Sequence, residues 1–492
     1  MVTTPWLDSI DATAGDGIEG VLRSRHRRRL RRLGWSDVLD PARGQASPAG
    51  TDPGPWWSRH GSVRPGNSVE VLVDGAAALP EIERAIRSAR HHVHIAGWHA
   101  TPGFRLTRDP GAPSLRDLLA ETAERVPVRL LLWAGPPLPL FQPTRPMVSR
   151  AREEFIRGGR VVCALDKREY TMHCHHEKIV VVDDDVAFVG GIDLTDLQGD
   201  RYDHEAHHPR MPLGWHDAAV RLRGPVVADV ARHFQRRWGE CTGEQLPTLE
   251  QPGPAGDVEV QLLRTVPDGV YDFASRGEFT ILEAYLRALG AAQRFIYLEN
   301  QFLWSPEVVD VLASKLTDPP HPDFRVLLVL PARPNNGADT TRGQLGRLLT
   351  ADGGSGRLLA TTIGAHDGGE QAPIYVHAKI GIVDDQWLTI GSANLNEHSL
   401  FNDTEVNLLV CDAALARATR LRLWSEHTER PVEQIDGDPH TVIDETWQPI
   451  AREQARRARA GQPRTHRLQL LDSVSRRTDR LQGPVRGLLV DG

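Results

Sequence analysis

Lysine is nearly missing from this chain: of its 58 basic residues, only Lys167, Lys178, Lys315 and Lys379 are not arginine. Where guanidinium supplies almost all the positive charge, each remaining ammonium is a candidate for a task arginine cannot perform. Cysteine is equally scarce. Cys163, Cys174, Cys241 and Cys411 are too few and too scattered for a disulfide framework or a Cys-rich zinc module, so a reducing compartment is expected. No window approaches about eighteen uninterrupted apolar residues, which argues against a membrane-spanning helix. The first residues, MVTTPWLDSIDATAGDG, lack the basic and then apolar run of an export signal. A basic surplus is also absent, and a net charge of -7 argues against a dedicated nucleic-acid binder. The expected location is therefore cytoplasmic, with peripheral attachment to a membrane face compatible with it.

What is present is an ordinary globular composition. Hydrophobic residues make up 40% and charged residues 25%, which excludes wholesale disorder, collagen-like and coiled-coil architectures. At 492 residues the chain exceeds one ordinary core, and two or three domains are expected.

The dominant feature is an internal repeat. MHCHHEKIVVVDDDVAFVGGIDL (172–194) and YVHAKIGIVDDQWLTIGSANL (375–395) share His-x-Lys, four residues, Asp, six residues, then Gly and a small residue. Each copy follows the same order of elements: a helical pattern (LPEIERAIRSAR, ILEAYLRALGAA), an apolar strand, a second strand (126–133, 324–331), a charged helix and a hairpin around the motif Asp. Apolar runs of this kind between helices predict strands buried on both faces of a mixed sheet, an α/β class. The predicted organisation is an Arg-rich and Pro/Gly-rich extension (1–62), a first half (63–241), a linker rich in Pro, Gly and Glu (242–257), a second half (258–445) and an Arg-rich tail (446–492). RSRHRRRLRR (23–32) packs seven arginines into ten residues. Solvated helix faces are the expectation for it and for the tail, in preference to a dock for anionic lipid.

Two residues apart on a strand, His176 and Lys178 project to one face, as do His377 and Lys379. An imidazole beside an ammonium is a poor pair for stability. It suits a phosphate, which needs a nucleophile or acid together with a charge clamp. The repeat captures two of the four lysines. In the second copy, Gly391, Ser392 and Asn394 offer further phosphate donors, whereas the first copy has Gly190, Gly191 and Asp193 in their place. Asp217 (in WHD) and Glu405 (in NDTEVN) are candidates to fix the histidine tautomers through Nδ1. Asp183 and Asp384 are grouped with the catalytic set as motif members, with stabilisation of the turn as their expected task.

These motifs resemble the HKD motifs of the phospholipase D superfamily, and specifically its lipid-hydrolysing branch. YLENQF (297–302), WHDAAVRLRGPVVADVARHFQRRW (215–238) and RLWSEH (422–427) extend the resemblance over about residues 65 to 450, while the His-rich loop 200–215 departs from it. The resemblance implies a duplicated α/β/α sandwich whose halves share one active site across a pseudo-twofold axis. It further implies a phosphodiesterase that needs no metal and no other cofactor, with His176 as nucleophile, His377 as acid and base, and Lys178, Lys379, Ser392 and Asn394 holding the phosphate. Trp98, Glu299, Asn300, Gln301 and Trp215 are expected in the site wall. The implied substrate is a phospholipid at a membrane surface, with water or a small alcohol as acceptor and phosphatidic acid as the hydrolysis product. A monomer is expected, because one chain carries both motifs.

Several alternatives rank lower. A zinc hydrolase could draw on His173, Cys174, His175, His204, His207, His208 and His216, but residues that alternate along a strand cannot all converge on one ion. A nuclease conflicts with the acidic balance, a cardiolipin synthase-like phosphatidyltransferase with the lack of N-terminal apolar helices, and a non-enzymatic binder with two intact motifs.

Overall fold

The computed structural model describes residues 5–39, 54–137, 142–170, 173–205, 207–247, 251–334, 338–367 and 370–471. Part of the N-terminal bridge (40–53), part of the linker (248–250) and the end of the expected tail (472–492) lie outside the described residues.

A helix α1 (Pro5–Leu33) precedes the first half, which runs β1 (Val63–Val73), α2 (Asp74–Ser88), β2 (Val93–Gly97), α3 (Leu115–Ala123), β3 (Val128–Trp133), α4 (Arg145–Ile156), β4 (Val162–Asp166), β5 (Ile179–Val182), β6 (Val186–Gly190), β7 (Gly214–His216), β8 (Ala218–Arg223) and α5 (Val227–Thr242). The second half runs β9 (Val258–Val266), β10 (Glu278–Phe279), α6 (Thr280–Ala291), β11 (Phe295–Glu299), α7 (Pro306–Thr317), β12 (Arg325–Val329), α8 (Ala338–Asp352), β13 (Leu358–Asp367), β14 (Glu370–Val376), β15 (Ile380–Val383), β16 (Trp387–Gly391), β17 (Glu405–Val410) and α9 (Ala413–Thr428). The short helices α10 (Val432–Ile435) and α11 (Pro439–Val442), then α12 (Gln448–Arg459) and β18 (Leu468–Leu470), follow.

Strand pairing gives the order β4-β3-β2-β5-β6-β8-β1 in the first sheet and β13-β12-β11-β15-β16-β17-β9 in the second. The two orders correspond strand for strand, including the parallel pairs β2–β3 and β3–β4 against β11–β12 and β12–β13. The fold is therefore a duplicated mixed α/β sheet, and the edge strands β1 and β9 pair antiparallel to join the copies. Strands β5, β11, β15, β16 and β17 are buried at every position, as both-face coverage requires.

One apolar cluster lies under α2, α3 and α4, a second under α6, α7 and α8. A third belongs to both halves, with Val181, Val189 and Val220 from the first sheet and Ile382, Ile390 and Leu408 from the second. Each buried aliphatic side chain contributes about 1.5–3 kcal/mol. Separation of the halves would expose this shared core, so they are held as one unit.

Both ends depart from the expected solvated segments. Helix α1 docks on the second half: His26 lies between Glu307 (2.6 Å) and Glu397 (3.2 Å), stacks on Phe401 and is surrounded by partners for Arg23 and Arg29. Burial alone would lower the His26 pKa, but the two carboxylates hold it up at about 9. Arg32 stays mostly exposed, at 71%. An arginine-rich helix thus has one bound edge and one solvated edge. At the other end, β18 pairs antiparallel with β13, and Leu468 and Trp447 are fully buried. Residues 446–471 therefore complete the second half, and the LQLL run is the signal for that added strand.

Candidate active site

The residues from His176 to Lys178 and from His377 to Lys379 lie outside the strands expected to carry them, immediately before β5 and β15. Each segment is pinned by the opposite half. The backbone N–H groups of His176 and Glu177 both donate to the Thr404 carbonyl (3.0 and 3.1 Å), and those of His377 and Ala378 both donate to the His216 carbonyl (2.8 and 3.0 Å). The residue after each carbonyl is an acid that reaches the histidine ring. His176 Nδ1 lies 3.0 Å from Glu405 Oε1, and His377 Nδ1 lies 2.6 Å from Asp217 Oδ2. The anchoring is crossed: each histidine takes its carboxylate from the other copy. The imidazoles face one another at 6.3 Å between ring centroids, with an interplanar angle of 67°.

Nδ1–H donation to these acids leaves Nε2 of each ring as the lone-pair atom. Burial raises the Glu405 carboxyl well above the ordinary range, although Ser392 Oγ (2.5 Å) and Ser399 Oγ (2.6 Å) both donate to it. Burial likewise lifts Asp217 to about 6, against the pull of Lys379 and the Ala218 N–H. His377 is pushed well below its usual value, first by burial and then by the cations Lys379, Lys178 and Arg201. Its imidazole is therefore neutral near pH 7 when no anion is bound. Close packing makes room for the acid: a Cβ on Gly191 would lie 2.1 Å from Asp217 Oδ1.

The lysines have unequal surroundings. Lys178 Nζ contacts Asp193 Oδ2 (3.1 Å) and donates to the His176 carbonyl (2.5 Å). Lys379 Nζ donates to Gln301 Oε1 (3.1 Å) and to the His377 carbonyl. Asn394 Nδ2 also donates to Gln301 Oε1, at 3.4 Å, and Gln301 Nε2 donates to the Tyr375 hydroxyl at 2.8 Å. An aspartate lies beside Lys178, whereas the amide of Gln301 lies beside Lys379. Trp215 lies 4.5 Å from the His377 ring, and the Arg201 guanidinium sits 4.0 Å over Trp215. Tyr375 packs on Trp215 and forms part of the wall of a cavity of about 640 Å³ that Arg333, Arg342 and Arg464 also line.

Several expected site residues sit elsewhere. Asp183 and Asp384 lie beyond the far ends of β5 and β15, where Asp183 accepts from the N–H groups of Arg90, His91 and His92, and Asp384 from those of Gln293, Arg294 and Phe295. Both adopt the left-handed conformation (φ 57° and 54°) that a tight hairpin needs and Asp tolerates. Their placement corrects their grouping with the catalytic residues: each ties a hairpin to the start of the neighbouring strand. Ser392 spends its hydroxyl on Glu405 and the Val406 carbonyl instead of pointing a donor at phosphate. Trp98 packs on Trp133 and Cys174. Glu299 is fully buried under His216, His427 and Tyr297, and Asn300 Oδ1 accepts from the Phe302 and Leu395 N–H groups. Only Gln301 and Trp215 of the expected wall reach the motif side chains.

The residues of the zinc alternative do not meet at one point, although His204 and His216 stay together. His173 meets His398 and Asp403, His175 meets Asp166, His208 meets Asp367, and His204 and His216 meet Asp74. Arg201, Tyr375, Ser399 and Thr404 were missed by sequence reasoning. Only the proximity of Tyr375 to His377 in the second motif could have flagged one of them.

Comparisons with known proteins give matches in both halves. A family model described as Phospholipase D matches residues 85–214, and one described as Cardiolipin synthase, PLD-like domain, matches 285–424. Phospholipase D A of Dictyostelium discoideum is 25% identical over 474 residues, covering 77% of this chain and 37% of that protein. Phospholipase D alpha 4 of Arabidopsis thaliana is 27% identical over 484 residues, covering 71% of this chain and 63% of that protein. The chain thus spans less than two thirds of the length of these relatives. A phosphatidylserine synthase structure from Haemophilus influenzae is similar with a TM-score of 0.49 and 12% identity, covering 80% of this chain and 93% of that one. The two matched segments carry one motif each, and the chain belongs to the phospholipase D superfamily, within the branch whose curated members are named phospholipase D.

Proposed function

We propose that this chain is a phospholipase D, which hydrolyses the distal phosphodiester of a glycerophospholipid to phosphatidic acid and the free head-group alcohol. The observation that carries this is the facing pair His176 and His377, with ring centroids 6.3 Å apart and each Nδ1 held by a carboxylate of the other half. In-line transfer at phosphorus needs a nucleophile on one side and an acid on the other, and a gap of this size accommodates one phosphoryl group.

In the first step His176 Nε2 attacks phosphorus. A P–N bond forms, the P–O bond to the head group breaks, and His377 Nε2–H gives its proton to the departing oxygen. Entry of the phosphodiester anion between Lys178, Lys379 and Arg201 offsets the charges that depress the His377 pKa, so substrate itself restores the acid. In the second step His377 Nε2 takes a proton from water, the oxygen attacks phosphorus and the P–N bond breaks. A small alcohol in place of water gives transfer to that alcohol. Lys178, Lys379 and Asn394 hold the nonbridging oxygens as charge shifts.

Lysines and histidines supply the positive charge at phosphorus, so no step requires a metal there. Among the described residues no helix is long and apolar enough to cross a membrane, and we assign the substrate to a membrane surface reached from outside the bilayer. One chain carries both motifs, so a monomer suffices for the site. Incubating the purified protein with mixed phospholipid vesicles in excess EDTA tests the reading by product mass. Phosphatidic acid and free head group are expected. Diacylglycerol with phosphorylated head group, or turnover lost in EDTA and restored by a divalent ion while the thermal midpoint stays unchanged throughout, would overturn it.

A further inference from the structure

Behind the Asp217–His377 pair lies a second set of buried side chains that the proposed reaction does not use. His204, in the His-rich loop of the first half, directs Nδ1 to Asp74, and His427, near the end of α9, directs Nε2 to Glu299 Oε1 at 2.9 Å. His427 thereby leaves Nδ1 as a lone pair, while His204, set between Asp74 and Glu426, is held protonated by the two carboxylates against its burial, and a bound metal would displace the Nε2 proton. Those two atoms, His204 Nε2 and His427 Nδ1, have no hydrogen-bond partner of acceptable geometry, and neither does Glu426 Oε1. The side chains of His204, His427 and Glu426 are 1%, 0% and 6% exposed, so bulk solvent does not reach them. The three atoms nevertheless converge. All lie within 4.8 Å of one another, with His204 Nε2 at 2.8 Å and His427 Nδ1 at 4.0 Å from Glu426 Oε1.

Two imidazole nitrogens, once the His204 Nε2 proton has left, and one carboxylate oxygen form a ligand set for a borderline transition metal rather than for Ca²⁺ or Mg²⁺. Donors around a tetrahedral zinc ion sit about 3.3 Å apart, between the two distances found here. The outer contacts fit as well. Metal-bound histidines almost always donate their second nitrogen to a carboxylate or carbonyl, as His204 does to Asp74 and His427 to Glu299. We propose that His204 Nε2, His427 Nδ1 and Glu426 Oε1 bind one zinc-class ion that staples the His-rich loop of the first half to α9 of the second.

The ion would be structural. His216, which contacts Asp74, His204 and Glu299, precedes the acid that orients His377, and its carbonyl anchors the His377 backbone. A staple at this point fixes the half–half geometry on which the facing histidines depend, and it stands whether or not phospholipid is the substrate. The zinc alternative from sequence included His204 and its neighbour His216, but it grouped them with residues that the fold places elsewhere, and it overlooked the Glu426–His427 pair.

The test measures metal rather than turnover. Full-length protein purified without immobilised metal is stripped by chelator in mild denaturant, refolded, and titrated with zinc chloride, with bound metal read by plasma mass spectrometry and thermal midpoint in parallel. Uptake of one zinc per chain, with a rise in midpoint, is expected. His204→Gln and Glu426→Gln, chosen to keep a polar side chain of similar size, are each expected to weaken uptake at least tenfold, with circular dichroism checking that they fold. Wild-type protein that takes up no stoichiometric zinc overturns the proposal whatever the variants do, and undiminished uptake by both folded variants overturns the ligand assignment.

Discussion

His176→Ala and His377→Ala are each expected to reduce phosphodiester turnover by on the order of 10⁵–10⁶-fold, and the double variant to be no worse than either single one. Groups that act as a unit are grossly non-additive, since once the nucleophile or its acid partner is gone the other has nothing left to contribute. The geometry makes the two histidines such a unit. They face each other at 6.3 Å, and each is oriented by a carboxylate from the opposite copy, so neither half contains a complete site. Two independent sites would behave differently: each single variant would keep roughly half the activity, and only the double would be inactive. Initial rates on one phospholipid for the four proteins separate the cases directly.

Asp217→Asn is expected to cost roughly 10³–10⁴ in kcat/KM, because a carboxamide can present its NH₂ to His377 Nδ1 and so favour the wrong tautomer. The pH profile supplies a second signature. Burial holds the Asp217 carboxyl at about 6, so below that pH it takes up a proton and ceases to be an anionic acceptor for the His377 ring. The wild-type kcat/KM profile should therefore fall on its acid side with an apparent pKa near 6, and the limb should be absent from the residual activity of the variant. Stability moves the other way. The folded-state pKa of this group exceeds its model value of 3.8, so its contribution to folding is full below the latter and is lost as pH rises through about 6. Activity lost near pH 5 without a matching loss of thermal midpoint would distinguish titration of Asp217 from acid unfolding.

Much of this was legible before any coordinates. The repeated His-x-Lys spacing reports the duplication and the charge directly, and the matched order of helical and apolar runs foretells two like sheets. What the sequence could not convey is which acid serves which histidine. Asp217 lies 41 residues after His176 in the chain yet holds His377, because the pairing is made by β7 beside β14 and by the His175–Thr404 bridge, contacts between halves that no local pattern encodes. Glu299 looked like a wall residue because it ends a strand beside Gln301. Glu299, however, is the last residue of β11 and the chain has left the strand by Gln301, so strand periodicity no longer relates the two: Glu299 turns into the buried histidine cluster while Gln301 meets Lys379. The arginine-rich start resembled a solvated face because composition cannot show that Glu307, Glu397 and Asp268 wait on the surface it meets.

The covalent intermediate at a shared site is tested most directly by partition between water and an added alcohol. With His176 carrying the phosphatidyl group after the head group has left, ethanol competes with water for the same P–N bond. Phosphatidylethanol should then rise with ethanol concentration at the expense of phosphatidic acid, while head-group release continues, and His176→Ala should form neither product. Head-group release that yields phosphatidic acid alone at every ethanol concentration would contradict an accessible phosphohistidine.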